Sequence, residues 1–600
     1  MHKFFSAFQH SSLAIRLVWD TSRSLTLLMA ISTIVAGITP VAIASVGGLF
    51  VDAVANLLQQ SGIDFSSFRQ EILGYVLIEL GLVLLLTASQ RLNLLCQSIL
   101  RALLGNKINV MILEKALTLE LAHFEDSEYY DKLIRARREA SSRPLSLIIK
   151  TFDLLRDIIA LATIGVFLFQ FSIWAAMLLL ISGIPAFIAE TKFSGEAFRI
   201  QKRRSAERRL QIYLEMVLTR EDGVKEVKLF QLGKHFLKRY IEIFNRIYRE
   251  DRSLVLRRAF WGYTLGLLAS IALYFAYGWV GFAAISGIIT IGQMTMYIAQ
   301  FRLGQNAVTT SLTAINGMYE DNLYLSNLSE YLDHEVPEVG GDSLHGPYPE
   351  NGIQFENVSF LYPGSERPAL ENVSVNIKPG ESLAIVGENG SGKTTLIKLL
   401  TRLYKPTSGR ILLEGLDLEY WDINALRNKI GVIFQDFNRY QLVVRENIGI
   451  GEVRDSGDQE RIGEAAKKGM AHSFIKELPD AYNTQLGSWF KDGKELSGGQ
   501  WQKIALSRVF MKKSADVLVL DEPTAALDAK AEAEIFSHFR EIANDRISII
   551  ISHRFSTVRM ADHIIVFKKG KVVEEGNHLE LINHEGIYAT LFELQARGYR

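Results

Sequence analysis

Residues 387–395 read Gly-Glu-Asn-Gly-Ser-Gly-Lys-Thr-Thr, and they decide the fold of the second half of the chain. The apolar run 382–386 precedes the glycines, and a helical pattern follows over 395–403. Closely spaced glycines between a strand and a helix let backbone N–H groups converge on phosphates, and the helix N-terminus adds partial positive charge. The stretch therefore predicts a phosphate-binding loop in an α/β domain.

The side chains of this loop have expected parts in nucleotide binding. We expect Lys393 to reach the terminal phosphates and Thr394 to ligate Mg²⁺ through its hydroxyl group. The remaining residues of the predicted nucleotide-binding loop are Gly387, Glu388, Asn389, Gly390, Ser391, Gly392 and Thr395.

A second apolar run ends in two carboxylates. Residues 517–522 read Val-Leu-Val-Leu-Asp-Glu, which predicts a buried strand with Asp521 and Glu522 at its carboxyl end. On its own such a run is more often an ordinary strand edge, but after a phosphate-binding loop it predicts the other half of an ATPase site. We expect Asp521 to hold the Mg²⁺ shell and Glu522 to act as the general base toward the attacking water.

Residues 496–500, Leu-Ser-Gly-Gly-Gln, lie shortly before this strand and resemble the signature motif of ATP-binding cassette (ABC) proteins. Other residues stand in the order that the family shows. The resemblance implies that Tyr362 stacks on adenine and that Gln435 senses the terminal phosphate and ligates Mg²⁺. It also implies that Asp528 lies in the loop through which two cassettes communicate, and that His553 holds the γ-phosphate.

The signature makes physical sense only between two chains. Ser497 and the N–H groups of the glycines after it form a second anion site, which cannot reach a phosphate held by its own chain's loop. Two cassettes must therefore meet head to tail, and one cassette per chain predicts a dimer. Because both halves of the site are intact, a homodimer is favoured, and a heterodimer remains possible. The predicted residues of the site in trans are Leu496, Ser497, Gly498, Gly499 and Gln500.

The first half of the chain has the composition of a membrane protein. Hydrophobic residues make up 48% of the chain and the mean hydropathy is +0.11, which is high for a soluble protein. Apolar runs long enough to cross a hydrocarbon core of ~30 Å occur only in this half. The last two runs are too long for one span, and we interpret each as a helical hairpin with a break at 170–171 or at 277–279. The sequence thus predicts six spans, in the runs Leu25–Val51, Ile72–Ser89, Phe152–Glu190 and Phe260–Phe301.

The basic residues predict the orientation of these spans. Lys and Arg are frequent in the long segments 91–150 and 192–258, whereas the connections on the other side carry few or no basic residues. By the positive-inside rule, both long loops, both termini and the cassette lie in the cytoplasm, and the spans lie in the inner (cytoplasmic) membrane.

The predicted fold is a polytopic α-helical membrane domain with six spans of the exporter type, followed by an α/β P-loop ATPase domain of the ABC type. We expect an amphipathic helix lying on the membrane at the N-terminus. The predicted domains are the amphipathic helix 1–20, the transmembrane domain 21–335, a linker 336–352 and the cassette 353–600.

The overall charge balance conceals a difference between the halves. Lys plus Arg and Asp plus Glu both total 66, which argues against a nucleic-acid partner. Up to residue 335, however, basic residues outnumber acidic ones by 34 to 29, and beyond it acidic residues outnumber basic ones by 37 to 32. A basic half suits anionic lipid headgroups. The single cysteine, Cys96, excludes an intramolecular disulfide and a cysteine-based zinc site.

Two short segments within the cytoplasmic loops are candidates for coupling. In ABC exporters, helices at the tips of these loops dock on the cassettes, and the resemblance implies this role for residues 123–130 and 222–230. An ordinary solvated helix turn is the alternative for each. The candidate coupling residues are Phe124, Glu125, Tyr129, Gly223 and Lys225.

Glu79 lies midway along the second apolar run. An ionisable residue at membrane depth is a functional hypothesis by default, so Glu79 is a candidate for the substrate pathway. The alternative is a structural pair with a polar group of another span, such as Gln170 or Gln293.

The layout of six spans and one cassette resembles ABC exporter half-transporters. Residues 434–447 and 487–503 look most similar to exporters of lanthionine-type and other ribosomal peptides, although Trp501 and Ala525 depart from the commoner arginine and serine. We therefore expect an ATP-driven exporter of an amphipathic cargo, with a peptide in first place and a lipid flippase or multidrug exporter as the alternative. From another class, an ATP-gated channel or a regulatory ATPase would share the cassette. No cysteine–histidine peptidase pattern precedes the spans, so we expect no leader cleavage.

Overall fold

The computed structural model describes residues 11–59, 65–126, 129, 132–133, 143–334, 340–522, 539, 541, 545–552 and 554–598. The chain forms two compact units. The first comprises Met1–Thr118 and Ser127–Glu335, and the second comprises Leu119–Asp126 and Val336–Arg600. A short segment from within the first half of the sequence therefore belongs to the second unit.

The first unit is built from long helices. Among the described residues of this unit, three helices contain segments long and apolar enough to cross a membrane: Arg23–Leu58, Gln70–Thr118 and Gly233–Ile285. The described helices up to residue 334, of which α4 belongs to the second unit, are α1 (Ser11–Thr21), α2 (Arg23–Gln59), α3 (Phe65–Thr118), α4 (Leu121–Glu125), α5 (Arg143–Phe171), α6 (Ile173–Ser182), α7 (Ile184–Arg203), α8 (Ser205–Thr219), α9 (Glu221–Leu229), α10 (Gly233–Ile285) and α11 (Ile291–Leu332).

The structure agrees closely with one of the two predicted hairpin breaks and disagrees with the other. The first lies at Ser172, between α5 and α6, directly after the predicted break at 170–171. The second prediction is wrong, because α10 continues through 277–279 and ends at Ile285. Gly287, at a φ of 73°, supplies the left-handed turn, and aromatic residues such as Tyr277 and Trp279 do not interrupt a helix in an apolar setting.

Helices α2 and α11 are joined at one end by a polar contact. The Asp52 carboxylate accepts hydrogen bonds from the backbone N–H of Gly292 and the hydroxyl of Thr290, each at 2.7 Å. The backbones approach so closely here that a Cβ atom on Gly292 would lie 2.1 Å from the carbonyl oxygen of Gly48. Asp52 thus caps the first turn of α11 from a neighbouring helix.

The second unit contains two sheets. The antiparallel sheet has the order β2-β1-β4-β5, and the larger sheet has the order β10-β9-β3-β8-β7-β6, with only the β9–β10 pair antiparallel. The strands are β1 (Ile353–Phe360), β2 (Leu370–Ile377), β3 (Ser382–Gly387), β4 (Ser408–Leu413), β5 (Leu416–Asp417), β6 (Ile430–Ile433), β7 (Val517–Asp521), β8 (Ile547–Ile551), β9 (His563–Lys568) and β10 (Lys571–Gly576).

Helices cover the larger sheet, so its central strands are buried along their whole length and are mostly apolar. Every residue of β7 and β8 is buried, as expected for a parallel sheet packed on both faces. The described α-helices of this unit, besides α4, are α12 (Lys393–Leu400), α13 (Ile423–Lys429), α14 (Val444–Gly449), α15 (Gln459–Lys468), α16 (His472–Glu477), α17 (Gly498–Phe510), α18 (Phe555–Val558), α19 (His578–Asn583) and α20 (Ile587–Gly598).

Candidate functional site

Three of the predicted motifs follow neighbouring parallel strands. The glycine loop follows β3, Gln435 follows β6, and Glu522 follows β7. Because strands β3, β8, β7 and β6 are adjacent and parallel, their carboxyl ends lie at one edge of the sheet, where α/β folds bind ligands. His553, after β8, and Asp528 lie outside the described residues.

The glycine loop has a backbone that only glycine accommodates. Gly387, Gly390 and Gly392 have φ values of 153°, 76° and 109°. A Cβ atom on Gly392 would lie 2.6 Å from the carbonyl oxygen of Ala369, and one on Gly387 would lie 2.3 Å from that of Phe567. The sequence therefore needs glycine here both for the left-handed backbone and for close packing.

Lys393 begins α12, and its side chain folds back into the loop. The Lys393 Nζ atom donates to the carbonyl oxygens of Gly387 at 2.9 Å and Glu388 at 3.0 Å. Burial lowers the pKa of Lys393, while the nearby carboxylates of Glu522 and Asp521 oppose that change. The ammonium group thus lies within the loop that is predicted to hold the phosphates.

Asp521 is a buried carboxylate without an ordinary partner. It is 1% exposed, and neither carboxylate oxygen makes a hydrogen bond of normal geometry to the described residues. Burial raises the pKa of Asp521 to about 6, and the nearby Thr394 hydroxyl opposes this increase in part. A buried carboxylate next to a hydroxyl fits the oxygen-ligand chemistry of Mg²⁺, which would supply the missing partner.

Glu522 has an unusual backbone conformation. Its φ is 47°, in the left-handed region that glutamate rarely adopts, and its N–H donates to the carbonyl oxygen of Ile551 at 3.0 Å. The carboxylate accepts a hydrogen bond from the Gln435 side-chain amide at 2.9 Å. The structure thus brings together two of the predicted catalytic residues. A strained conformation is typical of functional sites and costs about 1 kcal/mol or more.

Tyr362 lies beside the beginning of α12. Its hydroxyl is 3.1 Å from the Thr395 hydroxyl, and its ring packs edge-on against Phe360 and Tyr404 at centroid distances of 4.8 and 5.3 Å. The predicted adenine-stacking residue is therefore adjacent to the phosphate loop.

The signature forms a capped helix N-terminus. The Ser497 hydroxyl accepts a hydrogen bond from the Gln500 backbone N–H, and the Gln500 side chain accepts one from the Ser497 N–H. Leu496 and Trp501 anchor this turn in a hydrophobic core, and the Trp501 indole N–H donates to Glu495 at 3.0 Å. Trp501, which departs from the commoner arginine, is thus a core residue, and Ser497 remains exposed at the start of α17.

Helix α4 contacts the cassette core within the second unit. Leu121 and Ala122 pack against the hydrophobic cluster of that unit. Glu125 accepts a hydrogen bond from the Tyr404 hydroxyl and lies 3.8 Å from the Lys398 ammonium group. Burial and, to a smaller degree, Glu125 raise the pKa of Tyr404. Sequence reasoning found Glu125 but missed the apolar pair before it, because two apolar residues alone do not distinguish a docking helix from a surface turn.

The other coupling candidates occupy different positions. Phe124 is 43% exposed on α4, whereas Tyr129 is buried with its ring 6.0 Å from that of Tyr331 in the first unit. Gly223 and Lys225 lie on α9, where a Cβ atom on Gly223 would come within 2.8 Å of the Val217 carbonyl oxygen. Gly223 thus permits the close turn between α8 and α9.

The first unit contains two adjoining cavities that share Pro40 and Leu86. The larger one, of about 570 Å³, is lined mainly by apolar residues of α2, α3, α10 and α11. The other, of about 480 Å³, is more polar, and its polar lining side chains are Thr33, Gln90, Asn93, Gln97, Asp153 and Arg156.

Arg302 lines the apolar cavity and was missed by the sequence reasoning. Its guanidinium group has no hydrogen bond or ion pair within the described part of the chain. It lies about three turns after the start of α11, directly after the end of the last predicted apolar run. The rule that singled out Glu79 applies to ionisable residues within the predicted apolar runs, and it did not find Arg302 because Arg302 lies just beyond the last run.

Glu79 lines neither of these cavities and has no polar partner among the described residues. The side chain of Gln293, one of its suggested partners, instead accepts a hydrogen bond from the Thr290 N–H in the cap of α11. Glu79 precedes Leu86 by seven residues on α3, so the two residues project from the same helix face.

Comparisons with known proteins identify the family of the chain. The ABC transporter family model matches residues 370–525. The subtilin transport ATP-binding protein of Bacillus subtilis is 31% identical, over 96% of this chain and 93% of its own length. The nisin transport ATP-binding protein of Lactococcus lactis subsp. lactis is 30% identical over 82% of both chains. The ATP-dependent lipid A-core flippase of Escherichia coli K12 is 33% identical over 62% of this chain and 63% of its own.

A solved structure shares the fold. The structure of a bacterial Atm1-family ABC exporter with ATP bound superposes with a TM-score of 0.83 and 21% identity, over 95% of this chain and 99% of that one. With the phosphate loop, the paired carboxylates and the signature in place, the chain belongs to the ABC transporter family, as a membrane-embedded half-transporter of the exporter type that couples ATP hydrolysis to transport.

Proposed function

We propose that the protein is a homodimeric exporter that moves an amphipathic peptide out of the cytoplasm across the inner membrane, using ATP and Mg²⁺. The similarity that supports a peptide cargo extends over nearly the whole chain, including the membrane half, for the subtilin transport protein. The similarity to the lipid A-core flippase covers less of the chain.

The geometry of the ATP site supports a division of tasks. The loop around Lys393 holds the phosphates, and Thr394 and Asp521 ligate Mg²⁺, directly or through water. Glu522, positioned by Gln435, takes a proton from the attacking water. The hydrogen bond between these two side chains is the observation that carries the assignment of the catalytic pair. His553 and Asp528 keep their expected roles in γ-phosphate binding and in communication between cassettes.

A second chain completes each site. At the N-terminus of α17, the N–H groups of Gly498 and Gly499 have no hydrogen bond to the described residues, and with the exposed Ser497 hydroxyl they suit a phosphate oxygen. We assign this site, Leu496 to Gln500, to the ATP held by the partner's loop. The cassettes and both termini then lie in the cytoplasm.

Helix α4 is our candidate for the coupling element. It belongs to the second unit although both flanking chain segments belong to the first, so a displacement of the cassette acts directly on the covalent ends of α4. Glu125 supplies the polar contact and Leu121 the apolar one. Phe124, Tyr129, Gly223 and Lys225 remain candidates for the same pathway of motion, and Glu79 for the cargo pathway.

Transport by reconstituted protein tests this function. Inside-out proteoliposomes containing the full chain should accumulate amphipathic peptides when Mg²⁺ and ATP are added outside, and the Glu522→Gln variant should not. Accumulation of labelled lipids or hydrophobic drugs without any peptide uptake would contradict the peptide assignment. An ATP-gated current without accumulation would identify a channel instead, and ATP hydrolysis that no cargo stimulates would favour a regulatory ATPase.

A lipid flippase is the second candidate, and one observation favours it. Arg302, which has no hydrogen-bond or ion-pair partner among the residues that the structure describes, places a cation in a mainly apolar cavity, and this arrangement suits an anionic headgroup with its acyl chains. An anionic lipid should then stimulate ATP hydrolysis, and this stimulation should be lost in Arg302→Gln. If stimulation by peptides is unchanged in the same variant, the result would support this candidate.

A further inference from the structure

We propose that Gln90, Asn93 and Gln97 bind the peptide backbone of the cargo and so select a polypeptide over a lipid. The three side chains line the polar cavity of the first unit. The proposal rests on the proposed function, because it names the chemical group of the cargo that the same transport pathway recognises.

The three carboxamides form one row on α3. They are spaced at i, i+3 and i+7, which places them on one face of the helix. At 1.5 Å per residue the row is about 10 Å long. An extended peptide rises about 3.3 Å per residue, so the row matches a segment of about three residues.

These carboxamides lack the partners that such groups normally have. None of the three side chains makes a hydrogen bond within the described part of the chain, and the Asn93 Oδ1 atom is buried without a partner. A polar side chain held away from water without a hydrogen-bond partner is unfavourable. A cargo in the cavity supplies partners to the carboxamides that line it, which gives a reason for three such residues on one helix face.

Helix α2 also contributes to the lining of the cavity. Pro40 lies inside α2 and lines the cavity together with Ala36. Because proline has no N–H, the Ala36 carbonyl lacks its usual donor at position i+4 of the helix. The polar cavity is therefore lined by the carboxamides of α3 and by a turn of α2 that contains a carbonyl without its usual helical donor.

The charges of this cavity do not favour a phosphate headgroup. Among the described residues, Arg156 is the only cation that lines it, and two carboxylates of its own helix bind it, Asp153 at 3.1 Å and Asp157 at 2.9 Å. Asp153 also leaves a carboxylate at the cavity wall. A neutral peptide bond carries both a donor and an acceptor, whereas a phosphate offers only acceptors and an acyl chain offers neither. The lining is thus complementary to a peptide backbone.

Backbone N-methylation tests the proposal directly. The probes are a panel of synthetic amphipathic peptides, each made with ordinary and with N-methylated backbone amides, and binding is measured by fluorescence anisotropy on the full chain in nanodiscs. The variants are Gln90→Leu, Asn93→Leu and Gln97→Leu, singly and combined. The control is Gln170→Leu, which removes an exposed carboxamide that lines neither cavity.

We expect each single variant to raise the Kd of the ordinary peptide about fivefold, because each loses one hydrogen bond to the peptide. The triple variant should raise the Kd more than about tenfold. N-methylation should weaken binding to the unmodified chain by a similar factor and have little further effect on the triple variant. The Gln170→Leu control should bind like the unmodified chain. Asn93→Gln, which keeps the carboxamide, should retain most of the affinity and shows that a loss in Asn93→Leu is not caused by misfolding.

The outcomes separate this inference from the function. If peptides bind and are transported but the three variants and N-methylation leave the Kd unchanged, backbone recognition by this row is wrong and peptide export stands. If no peptide of the panel binds while labelled lipids stimulate ATP hydrolysis, the peptide function itself is wrong, and the inference falls with it.

Discussion

Glu522 combines three features at the scale of one residue: a place at the end of a buried strand, a left-handed backbone, and a carboxylate held by Gln435. The strand and the left-handed backbone set the direction in which the Glu522 side chain leaves the main chain, and the Gln435 amide sets the position of its carboxylate group. A general base is effective only within reach of the proton it removes, so this positioning matters as much as the chemistry of the group.

Replacing Glu522 by Gln should separate ATP binding from hydrolysis. The substitution keeps the shape of the side chain but removes the proton acceptor, so we expect ATP turnover to fall at least about 100-fold. ATP should still bind, and the dimer of cassettes should persist with ATP bound, which cross-linking and nucleotide retention would measure. The control is Glu356→Gln, which alters an exposed ion pair with Arg410. Hydrolysis at the unmodified rate would contradict the assigned role.

Much of the ATP site could be predicted because its residues are contiguous in the sequence. The loop around Lys393 and the strand ending in Asp521 need only local spacing to be identified. The lack of a partner for Asp521 and the left-handed φ of Glu522 could not be predicted, because they depend on how β7 packs against β8 and on the loops around it. Sequence spacing contains no information on burial of that kind.

Helix α4 is the element that we propose as the coupling element between the cassette and the membrane half. Its five residues are too few to be stable alone, since isolated helices shorter than about 12 residues are marginal in water. The helix is held in place by the packing of Leu121 and Ala122 against the cassette core and by the hydrogen bond from the Tyr404 hydroxyl to Glu125.

Replacing Tyr404 by Phe should weaken this attachment without removing the ring. The loss of one hydrogen bond to a carboxylate destabilises the contact by about 1.5–3 kcal/mol. We expect ATP hydrolysis to continue while the amount of cargo transported per ATP falls, as measured in proteoliposomes by parallel uptake and phosphate-release assays. Tyr420→Phe, at an exposed tyrosine of the same unit, is the matched control. An unchanged transport ratio in Tyr404→Phe would count against α4 as the coupling element.

The elements of the membrane half were predicted less evenly than the cassette. The first break lies at Ser172, one residue after the predicted break at 170–171, where Gln170 interrupts an apolar run. The second was misplaced by several residues, since Tyr277 and Trp279 remain helical and the turn is formed by Gly287 within a run that is still apolar. In a membrane, hydropathy alone does not distinguish a turn from a span.

At the scale of the whole molecule, the signature is expected to serve the partner's nucleotide. Mixed dimers test this with two lesions, Lys393→Ala in the phosphate loop and Ser497→Arg in the signature. In a dimer with one lesion on each chain, one site contains both lesions and the other is complete. We therefore expect about half of the unmodified ATPase rate or less, whereas either mutant homodimer should be inactive.

The arrangement of the lesions provides the control. When both substitutions lie on one chain and the other chain is unmodified, each site carries one lesion, and we expect no hydrolysis. Differently tagged chains purified in two affinity steps give both mixed dimers. Activity in the second dimer and none in the first would mean that the signature acts within its own chain.

The second unit includes Leu119–Asp126 in addition to the residues from Val336 onward. The chain therefore passes between the units three times rather than once. A chimaera joined only near residue 335 would pair a foreign cassette with the native 119–126 segment, and Tyr404 or Lys398 would be absent or differently placed opposite Glu125. Exchange of cassettes between related exporters should preserve transport only when this segment is exchanged together with its cassette. The part of the protein that can be exchanged as a module is therefore discontinuous in sequence.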